Sequence, residues 1–232
     1  MKENDVHSKT PRREFLGSLA AGAATLGIST LAPLGLSATP ESSALAGEAD
    51  AWFDKFDKAK GKHRVVFDVP YPHEIFPFAW PRVFLMTNVS TGTPENEVGV
   101  VVVLRHDGVP YAMNDTLWAK YKFGEMFKIN DAVTKAPSVR NAFWKPKPGD
   151  FVAPGLGPLP IGINELQDSG VMFAVCDMAL TVYSAVAAGG GDAAAVKKEF
   201  LANLLPGIQV VPSGVWALGR AQEKKCAYIS VR

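Results

Sequence analysis

Val98-Gly99-Val100-Val101-Val102-Val103-Leu104 is a continuous apolar run with no alternation of polar and apolar residues. A half-exposed strand alternates, so an unbroken run of this kind predicts a strand buried on both faces, as in a parallel sheet covered by helices. Upstream, His63-Arg64-Val65-Val66-Phe67-Asp68-Val69 is a second, β-branched run, and the two are read as the first strands. Between them, Phe78 to Ser90 places Phe84, Leu85 and Val89 at helical spacing, with Pro77 and Pro81 suited to its first turn. After the second strand, Asn114-Asp115 can cap a helix from Thr116 to about Phe127, whose Leu117, Trp118, Tyr121 and Phe123 offer apolar area.

Farther along, periodicity stops from Ala136 to Gly162, where Pro137, Pro146, Pro148, Pro154, Pro158 and Pro160 break any regular element. A short helix at Ile163 to Asp168 ends at Gly170, and Val171 to Val175 reads as a third strand leading into Cys176. Met178 to Ala188 is helical, Gly189-Gly190-Gly191 breaks it, and Asp192 caps a helix from Ala193 to Leu205. Ile208 to Val211 is the fourth strand, Pro212-Ser213-Gly214 opens a helix through Lys225, and Cys226 to Val231 closes as the fifth. Strands joined by single crossover helices predict a three-layer α/β/α sandwich around a mainly parallel five-stranded sheet.

The 24 Lys+Arg of the 232-residue chain nearly balance 23 Asp+Glu, so there is no field to gather phosphate backbones and nucleic acid is not an expected partner. Two cysteines make no disulfide scaffold, and no CxxC or HxxxH spacing outlines a zinc site. At the amino end, Thr10-Pro11-Arg12-Arg13-Glu14-Phe15-Leu16 sets two arginines before the uncharged stretch Leu16 to Leu36, a pattern similar to twin-arginine export signals. Arg12 and Arg13 would be read by the export machinery, and the folded chain would reach the periplasm. Ala44-Leu45-Ala46 offers a small-x-small cleavage pattern, dividing the chain into a signal at 1–46, a linker at 47–62 and a domain at 63–232. The alternative is an uncleaved membrane anchor.

The tail Leu205-Pro206-Gly207-Ile208-Gln209-Val210-Val211-Pro212-Ser213-Gly214-Val215-Trp216-Ala217-Leu218, with Arg220-Ala221-Gln222 and Cys226-Ala227-Tyr228-Ile229, resembles the carboxyl-terminal signature of the DsrE/DsrF-like family, as does the strand ending in Cys176. The resemblance runs from about His63 to Val231, with 136–162 as an insertion. It implies a five-stranded α/β/α domain, a homo-oligomer of the trimer or hexamer kind, and a strand-end cysteine that carries persulfide in sulfur-relay members. Cys176 matches that cysteine. Cys226 stands where a glycine often does, so no role transfers to it.

Placement agrees with such a role, because reactive groups in open parallel sheets gather at the carboxyl ends of strands, where the next helix points its amides. That favours a thiolate, while Asp177 opposes it and can itself take the helix cap. His106, in Leu104-Arg105-His106-Asp107-Gly108, ends the neighbouring strand and can accept the thiol proton or share a metal or haem iron; it can equally fix the turn. Asn114, Asp115 and Trp118 can line the same pocket as ligand-binding residues, or serve as cap and core. Met172 and Met178 raise copper, against ordinary core packing. A Cys176–Cys226 disulfide is chemically allowed in the periplasm, although parallel strands would put the two at opposite ends. Phe143, Trp144, Phe151 and Leu156 on the proline-rich insertion need covering, as a lid over the site or an arm across a neighbouring subunit.

Three functions follow as expectations: an exported sulfur-handling protein using Cys176 with His106 and a sulfur donor or acceptor protein; a periplasmic binder of haem, metal or small ligand; or a non-catalytic oligomeric partner of exported redox enzymes. No cofactor is singled out. Hydrolase and nucleotide-dependent readings find no Ser-His-Asp arrangement and no phosphate-binding glycine loop after a strand.

Overall fold

The computed structural model describes residues 39–59 and 61–232. In chain order the elements are α1 (Pro40–Ala59), β1 (His63–Val69), α2 (Phe76–Ser90), β2 (Val98–Leu104), a 3-10 helix (His106–Ala112), α3 (Asp115–Tyr121), α4 (Phe123–Met126), β3 (Val152–Ala153), β4 (Gly157–Pro158), α5 (Ile163–Asp168), β5 (Met172–Cys176), α6 (Asp177–Ala188), α7 (Ala193–Ala202), β6 (Ile208–Val211), α8 (Gly214–Glu223) and β7 (Ala227–Ser230). A further 3-10 turn, Glu95–Glu97, leads into β2.

β2 is buried along its whole length at the middle of a five-stranded parallel sheet of order β6-β5-β2-β1-β7. The period-2 geometry of a strand sends alternate side chains to opposite faces, and both faces are covered. Val65, Phe67, Val100, Val102, Phe173 and Val175 pack against the layer containing α2, α6 and α7, through Phe78, Leu85, Leu180 and Phe200. Val66, Val101, Val103, Ala174 and Val211 pack beneath α1 and α8 through Phe53, Phe56, Ala217 and Ala221. Stepping from β1 to β2, β5 and β6 in one direction with crossovers of one hand puts their helices on one face; the return to β7 carries α8 over the other. The architecture is the three-layer α/β/α sandwich the strand pattern predicts.

The structure corrects three sequence readings. Residues 47–62 are not a linker, because α1 occupies 40–59 and buries Ala49, Phe53 and Phe56, spaced as one helical face, against the sheet. Arg220 and Lys224 of the α8 end fasten it further, to Asp50 at 2.9 Å and Asp54 at 2.8 Å. The helix expected from Thr116 to about Phe127 is two helices, broken where Lys122 turns left-handed at φ 51°. The break admits the following chain: a Cβ on Gly124 would lie 2.2 Å from the backbone nitrogen of Ser138.

The third correction concerns the insertion. Its only strands among the described residues are the two-residue pair β3 and β4, consistent with the prolines, but it is neither a lid nor an intersubunit arm by its aromatic residues. Phe143 and Phe151 are buried in the domain's own core, stacked at 4.9 Å, and Phe143 lies 4.4 Å from Phe78 of α2. Only the tip residue Leu156 stays well exposed among the four apolar residues singled out. Most of the expected signal, including Arg12, Arg13 and Leu16 to Leu36, lies outside the described residues, whereas Ala44-Leu45-Ala46 falls inside α1. Among the described residues no helix is long and apolar enough to cross a membrane.

Phe53→Ala should destabilise the protein by about 3–5 kcal/mol, the cost of emptying a fully packed aromatic site, measurable by urea unfolding; a true linker residue would show almost no change. A second expectation concerns acid. Buried Asp131 anchors the turn before the insertion, accepting from the Val133 and Thr134 amides at 2.7 and 3.1 Å and from Arg140 Nε at 2.7 Å. Burial works to raise its pKa, but the two amides and the guanidinium prevail and hold it below the ordinary 3.8. A depressed carboxylate contributes stability above its unfolded pKa and loses it as pH falls through the folded one. Wild-type stability should therefore drop on acidification below about pH 4, more steeply than in Asp131→Asn when both are followed by thermal unfolding.

Candidate functional site

The carboxyl ends of β1, β2 and β5 share one edge of the sheet, and β5 runs into α6 with no loop between them. Cys176 ends β5 and is the N-cap of the 12-residue α6, its Sγ accepting the Ala179 amide N–H at 3.3 Å. A sulfur in that position faces the positive end of the helix dipole, where negative charge is favoured. Asp177 does not take the cap; it is turned to Lys197, whose Nζ lies 2.8 Å from its carboxylate. The opposing charge foreseen beside the thiol is thus matched by a lysine. Cys176 itself is only 6% exposed.

Register decides which residue of β2 stands across from it. Val103 pairs with Ala174 and Leu104 with Val175, so the next position along, Arg105, is set opposite Cys176, and His106 lies one residue beyond. His106 does reach the same edge, but among the described residues no hydrogen bond joins it to Cys176. Its backbone is left-handed, at φ 48°. Nδ1 is enclosed and lies 3.0 Å from Asp107 Oδ1, yet off the direction a hydrogen bond requires. Asp107 Oδ1 instead accepts the Tyr183 hydroxyl of α6. Burial and that carboxylate push the Tyr183 pKa up. Tyr71, just past β1, sets its ring edge-on to the imidazole at 5.2 Å. His106 therefore belongs to a cluster with Tyr71, Asp107 and Tyr183, and it makes no hydrogen bond through which it would accept the thiol proton; the hydrogen bond to Cys176 comes from the Ala179 amide, a donor.

Beside this cluster lies a buried ionic network. Asp68, with no solvent exposure, accepts from Arg105 Nε at 2.7 Å and Nη2 at 2.9 Å, and from the Tyr228 hydroxyl at 2.7 Å. The hydrogen bond to Asp68 raises the Arg105 pKa against the pull of burial, and the same carboxylate raises that of Tyr228. Two glycines make room. A Cβ on Gly108 would lie 2.3 Å from Val69 O, and one on Gly214 would lie 2.5 Å from Arg105 Cβ. None of these residues was singled out from sequence, although a lone carboxylate in the otherwise apolar second half of β1, and an arginine directly after β2, were a legible hint of a buried pair.

Asn114, Asp115 and Trp118 are not brought to this site as ligand contacts. Asn114 caps α3, accepting the Leu117 amide at 3.4 Å, and donates to Asn203 Oδ1 at 3.0 Å. Asp115 accepts the Asn141 amide at 2.8 Å, and buried Trp118 donates Nε1–H to Pro110 O at 3.0 Å. Their polar atoms hold the fold together, so the cap-and-core reading holds. Cys176 and Cys226 are not joined in a disulfide: one ends β5, the other precedes β7, and β2 and β1 stand between those strands. At about 4.8 Å per strand step that separation exceeds the roughly 7 Å Cα limit for a bridge. Met178 is largely exposed on α6 and Met172 packs beneath the α1 and α8 layer. Among the described residues no three of His, Cys, Asp or Glu converge as metal ligands do. Concavities open at the opposite end of the sheet, one lined by Glu95, Asp168 and Ser169 and another by Lys62, Arg64 and Lys225, and neither contains a residue singled out from the sequence.

No family model matches the chain, and no curated protein matches it at the level of a relative. A solved structure of a protein of unknown function from Methanobacterium thermoautotrophicum is similar at 24% identity, covering 73% of this chain and 100% of that one, with a TM-score of 0.36.

Asp68→Asn should cost about 3 kcal/mol or more, because it strips a partly buried guanidinium of its counter-charge. Denaturant unfolding checks this, and a change under about 1 kcal/mol, the size typical of a surface pair, would show that water replaces the carboxylate without penalty.

Proposed function

We propose that the protein is an exported sulfur carrier in which Cys176 takes up sulfane sulfur as a persulfide and hands it to an acceptor. The observation that carries this reading is the Cys176 Sγ in the N-cap position of α6, held by the Ala179 amide at 3.3 Å. A cap that accepts a hydrogen bond favours the anion of a thiol, and it favours the anion of a persulfide for the same reason. In the loading step the Cys176 thiolate attacks the outer sulfur of a donor persulfide, R–S–SH. A new S–S bond forms at Cys176, the donor S–S bond breaks, and the donor leaves as its thiolate. No electrons are gained or lost overall, so no oxidant is required. Cys176 is 6% exposed, so transfer requires the edge to open around it, and loading should be slow beside that of an exposed thiol.

The export assignment rests on Arg12-Arg13, and a homo-oligomeric state rests on the family resemblance; both are parts of this proposal. A second reading has one observation in its favour. The cluster of Tyr71, His106 and Tyr183, with an enclosed imidazole nitrogen lacking a hydrogen bond, suits contact with a small ligand without chemistry at sulfur.

Intact mass of the purified protein after exposure to polysulfide separates the two. A gain of one sulfur atom that reverses with reductant and is missing in Cys176→Ala supports the carrier. A chain that stays unmodified on exposure prolonged roughly a hundredfold or more beyond the time that loads an exposed thiol peptide overturns the carrier, and a small-ligand site at the His106 cluster then becomes the better reading.

A further inference from the structure

The amino end of α1 is built as a helix start and not as an interior stretch of a processed leader. Thr39 and Ser42 form a reciprocal cap: the Thr39 amide donates to Ser42 Oγ at 2.9 Å and the Ser42 amide donates to Thr39 Oγ1 at 3.1 Å. Pro40 takes the first helical position, where its missing N–H costs nothing, and Glu41 follows in the first turn, where a carboxylate suits the dipole. The Ala46–Gly47 bond, marked by Ala44-Leu45-Ala46, lies inside that helix. A peptidase reads its substrate extended over several residues on each side of the bond. Opening 46–47 to that extent unwinds the capped turns and reaches Ala49, which is fully buried, and Asp50, which is paired with Arg220 at 2.9 Å.

We propose that processing occurs before this cap, at the Ser37–Ala38 bond, and that α1 protects the Ala46–Gly47 bond. Gly35-Leu36-Ser37 carries small residues at the two positions such a cleavage reads, directly after the uncharged stretch ending at Leu36. The mature chain then begins at Ala38, one residue ahead of the Thr39 cap, and keeps α1 whole. The inference rests on the export reading of Arg12-Arg13, because only a chain folded before export presents α1 already formed to the peptidase.

The test is to express the full chain in a bacterium with twin-arginine export and to read the amino terminus of the exported protein by sequencing and intact mass. A start at Ala38 is expected. A start at Gly47, or an exported chain that remains uncleaved, overturns the inference and leaves export standing. If location and length are the same in wild type and in Arg12→Lys/Arg13→Lys, the export reading itself fails. Protection is tested separately. In Gly35→Leu/Ser37→Leu, cleavage should fall without moving to Gly47, and adding Ser43→Pro to break the first turns should raise cleavage at Gly47 roughly tenfold. Efficient cleavage at Gly47 with α1 unbroken would show that the helix does not shield that bond.

Discussion

An acidic side chain with no solvent exposure, Asp68, sits near the end of β1, and the carboxyl edge is arranged around giving it hydrogen-bond partners. Burying an ionised group without partners is prohibitive, so Arg105 from the end of β2 and Tyr228 from β7 must both reach it. The requirement ties together three neighbouring strands that start far apart in the chain. It also explains close approaches elsewhere: the turn after β2 passes so near Val69 that only glycine fits at 108, and α8 begins on the Arg105 side chain, where Gly214 leaves room. An ion pair of this kind is a weak source of stability compared with an apolar replacement. Its effect here is positional, because it leaves little freedom for the backbone on which the thiol and imidazole depend.

The thiol and imidazole are placed by different elements. Cys176 is positioned by the direct passage from β5 into α6, which makes the sulfur a helix cap. His106 is positioned by the left-handed step into the 3-10 helix after β2 and by the aromatic side chains of Tyr71 and Tyr183. Neighbouring strands bring them to one edge without making them a hydrogen-bonded pair. A catalytic dyad needs both direction and distance, and among the described residues no hydrogen bond joins these two. The carrier reading accordingly rests on the sulfur and the helix that holds it.

Two segments with no assigned place in a minimal sandwich turn out to complete it. α1 covers the face that α8 alone would leave partly open, and the insertion slides Phe143 and Phe151 between the sheet-side aromatic residues and solvent. Both carry their apolar residues among charges or prolines that mask them when the chain is read locally. In the insertion, Asn141 donates to Tyr111 O and Met113 O while accepting from the Phe143 amide, and Arg82 donates to Pro160 O, so side chains supply many of the hydrogen bonds that a regular element would make through its backbone.

Five strands, their parallel arrangement and the two covered faces are legible along the chain, because an unalternating run such as Val98 to Leu104 has no stable place except a sheet with helices on both sides. The place of Cys176 at a strand end is legible as well, since a strand pattern and a helix pattern meet there without a loop. Long-range contacts set the rest: strand register carries Arg105 and not His106 to the position opposite Cys176, Asn114, Asp115 and Trp118 are spent on the fold, and α1 and the insertion belong to the core. Periodicity reports which way a side chain faces along its own element, whereas register, partner and burial depend on which distant element comes to lie beside it.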